Sequence, residues 1–254
     1  MIDIHNHILS GLDDGAATME DSLLMARQAV MEGIHTIVAT PHHQNSSFEN
    51  PKEIVIKKVE ELNSKLKEEN FPLVILQGHE TRIHGDFLEE FNQGNILALN
   101  GTQYVFIELP SGHVPRYTSR FVFELQNMGV IPIIVHPERN QGIVEQPDLL
   151  YQLVKKGALA QLTASSVCGK FGKSILKFSH QLLEANLIHF IASDAHNIYN
   201  RSFHMEEAFS MLSSRYGNEM ADMMKENAEL LVRGDNVYRD EPQKVKKKKL
   251  LGIF

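Results

Sequence analysis

The chain has no tryptophan and a single cysteine, Cys168, among its 254 residues. One cysteine cannot build an intramolecular disulfide framework, which fits a reducing compartment. No apolar run approaches the ~20 residues that a membrane span requires. The opening Met1-Ile2-Asp3-Ile4-His5 carries neither the basic region nor the apolar core of a signal peptide, so the expected location is the cytoplasm. Basic residues are in deficit too. A net charge of -7 argues against a general nucleic-acid binder, and no nucleic-acid partner is expected. Histidine stands out against these shortages, with 13 copies. It is the commonest metal ligand and also an ordinary surface or core residue, so position must decide its role.

Short apolar, β-branched runs recur at Ile2–Ile4, Thr36–Ala39, Leu73–Leu76, Tyr104–Ile107, Ile131–Val135, Ala158–Thr163 and Ile188–Ala192. Helical patterns lie between them. Met19, Leu23, Ala26 and Val30 form one stripe, opened by a Thr18-x-x-Asp21 capping box. Val55, Val59, Leu62 and Leu66 form another, starting near Pro51. Glu145–Lys156, Ser174–Ala185, Ser202–Tyr216 and Glu219–Val232 read as further helices, and glycines such as Gly33, Gly129 and Gly157 close helices. Strands alternating with helices imply a parallel sheet with right-handed crossovers. Seven such units predict an α/β fold, a distorted seven-stranded (β/α)7 TIM-like barrel, with an open doubly wound sheet as the alternative. Residues 1–240 read as one domain and 241–254 as a basic, apolar-ended tail.

In β/α barrels, chemistry collects at the carboxyl ends of the strands. The first strand here ends in His5-Asn6-His7, and the second runs into Pro41-His42-His43. The third reaches His79-Glu80, the fourth Glu108, the fifth His136-Pro137-Glu138-Arg139 and the last Asp194-Ala195-His196. A single histidine at a strand end is usually a hydrogen-bonded structural residue. Ligand-type residues in register at six strand exits are not explained that way. His5 and His7, two apart on a strand, face the same side and can reach one ion.

These motifs, His5-Asn6-His7, Thr40-Pro41-His42, Glu80, Glu108, His136-Pro137-Glu138-Arg139 and Ser193-Asp194-Ala195-His196, resemble those of the PHP (polymerase and histidinol phosphatase) superfamily. With the Gly11-Leu12-Asp13-Asp14-Gly15 loop, the chain is similar to its branch of manganese-dependent bacterial protein-tyrosine phosphatases, the capsular-polysaccharide CpsB/YwqE type. The resemblance runs from Met1 to about Val237. It implies three divalent metal ions, manganese first, with iron or zinc as alternatives. His5, His7, Glu80 and Asp194 would bind one ion; Glu80, as a bridge, would share a second with Glu108 and His136. Asp14, His42 and His196 would bind the third, with the neighbouring Asp13 as the competing carboxylate. Four carboxylates and five neutral imidazoles around three divalent ions leave +2, which suits a phosphate dianion. Ligands without a thiolate speak against a structural zinc site.

The resemblance further implies dephosphorylation of phosphotyrosine in proteins, such as a bacterial tyrosine kinase of polysaccharide synthesis, and the register of the ligands points to attack by a metal-bridging hydroxide. The alternatives are a small-molecule phosphate monoester phosphatase and a metal-retaining regulatory module. Amidohydrolases also begin with His-x-His, but their bridging lysine on strand four has no counterpart in Ile107-Glu108-Leu109. Arg139 and Arg201, each just past a ligand motif, are the expected phosphoryl-binding forks. His43, beside a ligand, is a candidate substrate contact, and His79 is open between that role and support of a ligand.

Other features are set aside. Cys168 lacks the arginine six positions on that cysteine phosphatases need, since that position is Ser174. Gly172-Lys173-Ser174 lacks the upstream glycine of a phosphate loop. His35, His84, His113, His180, His189 and His204 lie away from strand exits and read as structural or solvated. The tail from Lys244 to Phe254 combines clustered lysines with an apolar end. A solubilising terminus is the plain reading, and peripheral contact with an anionic membrane the sharper one.

Overall fold

Strand and helix alternate from the first residues of the computed structural model, which describes residues 1–246. β1 (Ile2–Asn6), α1 (Met19–Met31), β2 (Thr36–Ala39) and a two-residue β3 (His42–His43) come first. α2 (Lys52–Glu68), β4 (Val74–Gln77), β5 (Glu80–Arg82), α3 (Phe87–Asn92), β6 (Tyr104–Glu108) and α4 (Thr118–Asn127) follow. The second half holds β7 (Ile131–Val135), α5 (Gln141–Glu145), α6 (Asp148–Lys155), β8 (Leu159–Thr163) and α7 (Ala164–Val167). α8 (Lys173–Glu184), β9 (Phe190–Ala192), α9 (Met205–Tyr216) and α10 (Asn218–Arg233) complete it.

All named strand pairs are parallel, in the orders β1-β2-β4 and β3-β5-β6-β7-β8-β9. β3 and β5 prolong β2 and β4 past breaks at Thr40-Pro41 and Gly78-His79, so nine segments trace seven strand paths. The last path meets the first at their carboxyl ends. Asp194 N donates to His5 O at 2.9 Å and His7 N to Ala195 O at 3.0 Å. This bridge between the first and last paths is compatible with the expected distorted seven-stranded barrel.

Local chemistry accounts for most boundaries. Thr18 Oγ1 accepts from Asp21 N (3.2 Å) while the Asp21 carboxylate accepts from Thr18 N (3.0 Å), closing the capping box. Gly33, at φ +75°, lets Ile34 N turn back to Ala29 O and end α1. The helix expected over Glu145–Lys156 is instead α5 and α6, separated at Gln146-Pro147. Pro147 has no N–H to continue α5 and disfavours helical backbone in the residue before it. The helix expected from Ser202 starts only at Met205, after His204 in a left-handed conformation. α3 and α7 have no counterpart among the expected helices, and α4 is anticipated only by its closing glycine, Gly129.

Two apolar layers position the site. Inside the barrel Ile4, Val38, Phe106, Ile133, Val135, Leu159 and Phe190 pack together. Burying each contributes roughly 1.5–3 kcal/mol. Alternate residues of the same strands, including Ile37, Val105, Ile107 and Ile134, face the helices. Ala228 and Leu231 of α10 join the inner layer, and Tyr104 Oη donates to Asp235 O (2.7 Å), so this segment closes the amino-terminal end. The opposite end carries His5, His7, His42, His136 and His196. Beyond α10, Gln243 N donates to Ala185 O (2.8 Å) and Asn186 Nδ2 to Glu241 O (3.2 Å), so the expected tail begins bonded to the body. Residues 247–254 of that tail lie outside the described residues. Among the described residues no helix is long and apolar enough to cross a membrane.

Candidate metal centre

β1 delivers its histidines through an irregularity. Asp3 pairs with Ile37 but Asn6 with Ala39, so β1 carries one residue more than its partner in this stretch. The bulge lets Ile4 and His5 both serve the interior, and the His5 ring lies 4.9 Å from that of Phe106. Asn6 and Asp3 turn to the other side and hold β9: Asn6 Nδ2 donates to Ser193 Oγ (3.0 Å), and Ser193 N donates to Asp3 (2.9 Å).

His5 Nε2 and His7 Nε2 stand 3.3 Å apart. Glu80 Oε2 lies 3.3 Å from the first and 3.4 Å from the second, and Asp194 Oδ1 lies 3.6 and 3.4 Å from them. His136 Nε2 is 2.7 Å from Glu80 Oε1. His42 Nδ1 sits 2.9 Å from Glu80 Oε2 and 3.7 Å from Glu108 Oε2. Asp14 Oδ1 lies 3.4 Å from His42 Nε2 and 3.2 Å from His196 Nε2. The structure thus brings all nine expected ligands to one rim.

Around them stand Gln161 and Arg82, with no role expected from the sequence, and Asp13, expected only as the carboxylate competing with Asp14. Gln161 Nε2 donates to Leu162 O, which leaves Gln161 Oε1 to accept from His5 Nδ1–H at 3.0 Å. Asp13 Oδ2 accepts from His7 Nδ1–H at 2.7 Å and from His42 N at 3.1 Å. Both contacts free the inward Nε2 lone pairs, the usual support for a ligating imidazole. Asp13 is therefore occupied behind His7, and Asp14 is the carboxylate facing His42 and His196. Arg82 forks onto Glu108, with Nε to Oε2 at 3.0 Å and Nη2 to Oε1 at 2.9 Å.

The donor set fits divalent cations. Three groups, His5/His7/Glu80, His42/Glu80/Glu108 and His7/Asp14/His42/His196, each offer ligand atoms within 4.8 Å of one another. His42 Nδ1, Glu80 Oε2 and His196 Nε2 are buried without a hydrogen-bond partner. Such atoms each cost about 1–3 kcal/mol unless something satisfies them. The charges strain against each other. Burial and the adjacent Glu80 push the Glu108 carboxyl up to about 7. Burial opposes protonation of His42, yet Glu80 and Asp14 outweigh it and raise the imidazole to about 10. The backbone is strained as well: His136 (φ 35°) and Asp194 (φ 51°) are left-handed, at about 1–3 kcal/mol each. Gly15 permits a close approach, because a Cβ there would lie 2.1 Å from His7 O.

Beside the cluster opens a cavity of about 290 Å³, whose walls include His42, Glu108, His136, Arg139, Asp194 and Arg201. Arg139 pairs with Asp194 and stacks over Phe171 (5.6 Å), and Arg201 Nη1 pairs with Asp14 at 2.9 Å. Both expected arginines therefore border open space. His43 does not. It is buried, its Nδ1 accepts from Asn50 N (3.1 Å), and it stacks on His79 at 4.4 Å, so its place is behind the site and not against a substrate. His79 Nδ1 likewise accepts from Leu97 N (3.1 Å). Cys168 lies elsewhere, its thiol pushed up to about 12 by burial.

A family model for capsular polysaccharide synthesis, CpsB/CapC, matches residues 1–233. The chain is 50% identical to the tyrosine-protein phosphatase YwqE of Bacillus subtilis, over 100% of both chains. It is 40% identical to the putative tyrosine-protein phosphatase CapC of Staphylococcus aureus, again over 100% of both. Among solved structures, a chain from the crystal structures of YwqE from Bacillus subtilis and CpsB from Streptococcus pneumoniae, metal-dependent tyrosine phosphatases, superposes with a TM-score of 0.96. It is 49% identical, and the match covers 97% of this chain and 100% of that one. An organophosphorus hydrolase from Deinococcus radiodurans aligns at a TM-score of 0.57 and 13% identity, covering 91% of each chain, a likeness of fold alone.

Proposed function

The chain belongs to the CpsB/CapC family of capsular polysaccharide synthesis, and on that premise we propose that it is a metal-dependent protein-tyrosine phosphatase. The observation that carries the reading is the gathering of nine ligand-type side chains, seven of them in three tight groups and Asp194 and His136 against His5 and Glu80, with two arginines at one edge of an open cavity. Its substrates are tyrosine-phosphorylated proteins, with a bacterial tyrosine kinase as the first candidate.

Three divalent cations, manganese first, would be held by His5, His7, Glu80 and Asp194; by Glu80, Glu108 and His136; and by Asp14, His42 and His196. Cations there supply Lewis acidity toward phosphoryl oxygens and lower the pKa of water toward neutrality. Gln161 and Asp13 fix the ring tautomers of His5 and His7. Arg139 and Arg201 face the cavity and would take the phosphoryl oxygens, orienting the phosphorus for in-line displacement. A tyrosine phenolate, whose conjugate acid has a pKa of about 10, leaves with little need of a general acid. The thiol of Cys168 takes no part.

The test compares turnover of the purified chain on a phosphotyrosine peptide, a phosphoserine peptide and histidinol phosphate. Preference for phosphotyrosine is expected. Preference for histidinol phosphate would make it a small-molecule phosphatase, and no turnover with metals bound would make it a binding module.

A further inference from the structure

We propose that Arg82 is a positioning residue that locks the Glu108 carboxylate with Oε2 turned toward His42 and Glu80, and so sets the affinity of one cation in particular. That cation is the one Glu80 and Glu108 would share, together with His42 by the grouping in the structure or with His136 by the family resemblance, so the proposal rests on the metal-centre reading above. Arg82 stands two residues past Glu80 on β5 and pairs in register with Glu108 on β6. The two residues exchange more than a point contact. Nε donates to Oε2 at 3.0 Å, Nη2 to Oε1 at 2.9 Å, and Nη1 to Leu109 O at 3.3 Å. Ile83 N also donates to Glu108 O at 3.0 Å, fixing the backbone beneath the pair.

A planar guanidinium forked on both oxygens forbids rotation of the carboxylate without loss of both bonds. Each oxygen gives one acceptor position to Arg82, which leaves Oε2, 3.7 Å from His42 Nδ1, to face the cluster. The other two arginines differ. Arg139 and Arg201 line the cavity, whereas Arg82 does not, and all three of its bonds end on protein oxygens. Its part is orientation of a neighbour, without contact to substrate.

The experiment strips the full chain with a chelator and titrates manganese back, reading affinity by calorimetry and stoichiometry by elemental analysis. Arg82→Lys keeps the charge and loses the fork; Arg82→Gln loses both. In each, one of three sites is expected to weaken 10- to 100-fold, the range usual for groups behind a ligand, while the other two stay within about twofold. Circular dichroism and the melting point of the metal-free protein should be unchanged. In a Glu108→Gln background, Arg82→Lys should add nothing. A wild-type chain that binds three ions while both Arg82 variants match it overturns the proposal alone, as does equal weakening in the Glu108→Gln background. A wild-type chain that binds no manganese overturns the metal-centre reading and the proposal with it.

Discussion

The same strands carry two layers that obey opposite rules. Within the barrel, Ile4, Val38, Phe106 and Ile133 are apolar, close-packed and free of polar atoms to satisfy. A few ångströms further along, His5, His42, Glu108 and His136 gather buried polar atoms, left-handed backbone and opposed charges. The lower layer lowers the energy of the fold, and the upper layer carries buried unpaired polar atoms whose cost a bound cation would offset. Stability and chemistry are therefore separable along each strand, and substitutions in the two layers should move different observables.

The largest effect is expected at Glu80, whose carboxylate touches His5, His7, His42 and His136. Glu80→Ala should cut kcat on the order of 1000-fold and reduce metal content, with far-ultraviolet dichroism retained. Full metal occupancy in that variant, measured by elemental analysis, would remove Glu80 from the ligand set. Ile133→Ala, one layer down, should do the reverse. It should lower stability by about 2–5 kcal/mol in urea titration while the folded fraction keeps its metal.

Arg139→Lys and Arg201→Lys test the edge between site and solvent. Each should lower kcat about 10- to 100-fold with metal content unchanged, because a lysine keeps charge but not the bidentate fork. Parallel loss of metal would move the arginines from phosphoryl binding to ligand support.

The smallest effect lies far from the site. Burial, then Arg239, lowers the His189 imidazole to about 3, and its Nδ1 accepts from Ala160 N at 3.2 Å. The unfolded chain takes up this proton below about 6.5 and the folded chain only near 3. Its contribution is thus full above pH 6.5 and is lost as pH falls, about 1 kcal/mol by pH 5.5. His189→Gln should flatten the stability profile by that amount between pH 7 and 5.5, and an unchanged slope would deny the burial effect.

Much of the upper layer was legible because most of its ligands follow an apolar, β-branched run that marks a strand, whereas Asp14, in the loop between β1 and α1, was assigned only through the family resemblance. His136 directly follows Val135, and Asp194 comes two residues after Ala192. What could not be read depends on pairs distant in the chain. Gln161 stands 156 residues from His5, and the fork of Arg82 on Glu108 spans 26. No local period relates such residues. The β1 bulge was hidden for the same reason, since it exists only relative to β2. Pro147, by contrast, was a visible helix breaker inside an otherwise regular stripe. His43 misled because adjacency to His42 in sequence places it on the opposite face of the strand.

The most direct measurement removes the cations. The chain is stripped with EDTA, assayed on a phosphotyrosine peptide, refilled with manganese and assayed again, beside Cys168→Ser treated identically. Loss of turnover on stripping, recovery as about three manganese ions bind, and identical behaviour of Cys168→Ser are the predicted results. Full activity in the stripped protein, or a metal-replete Cys168→Ser that is inactive, would contradict the account.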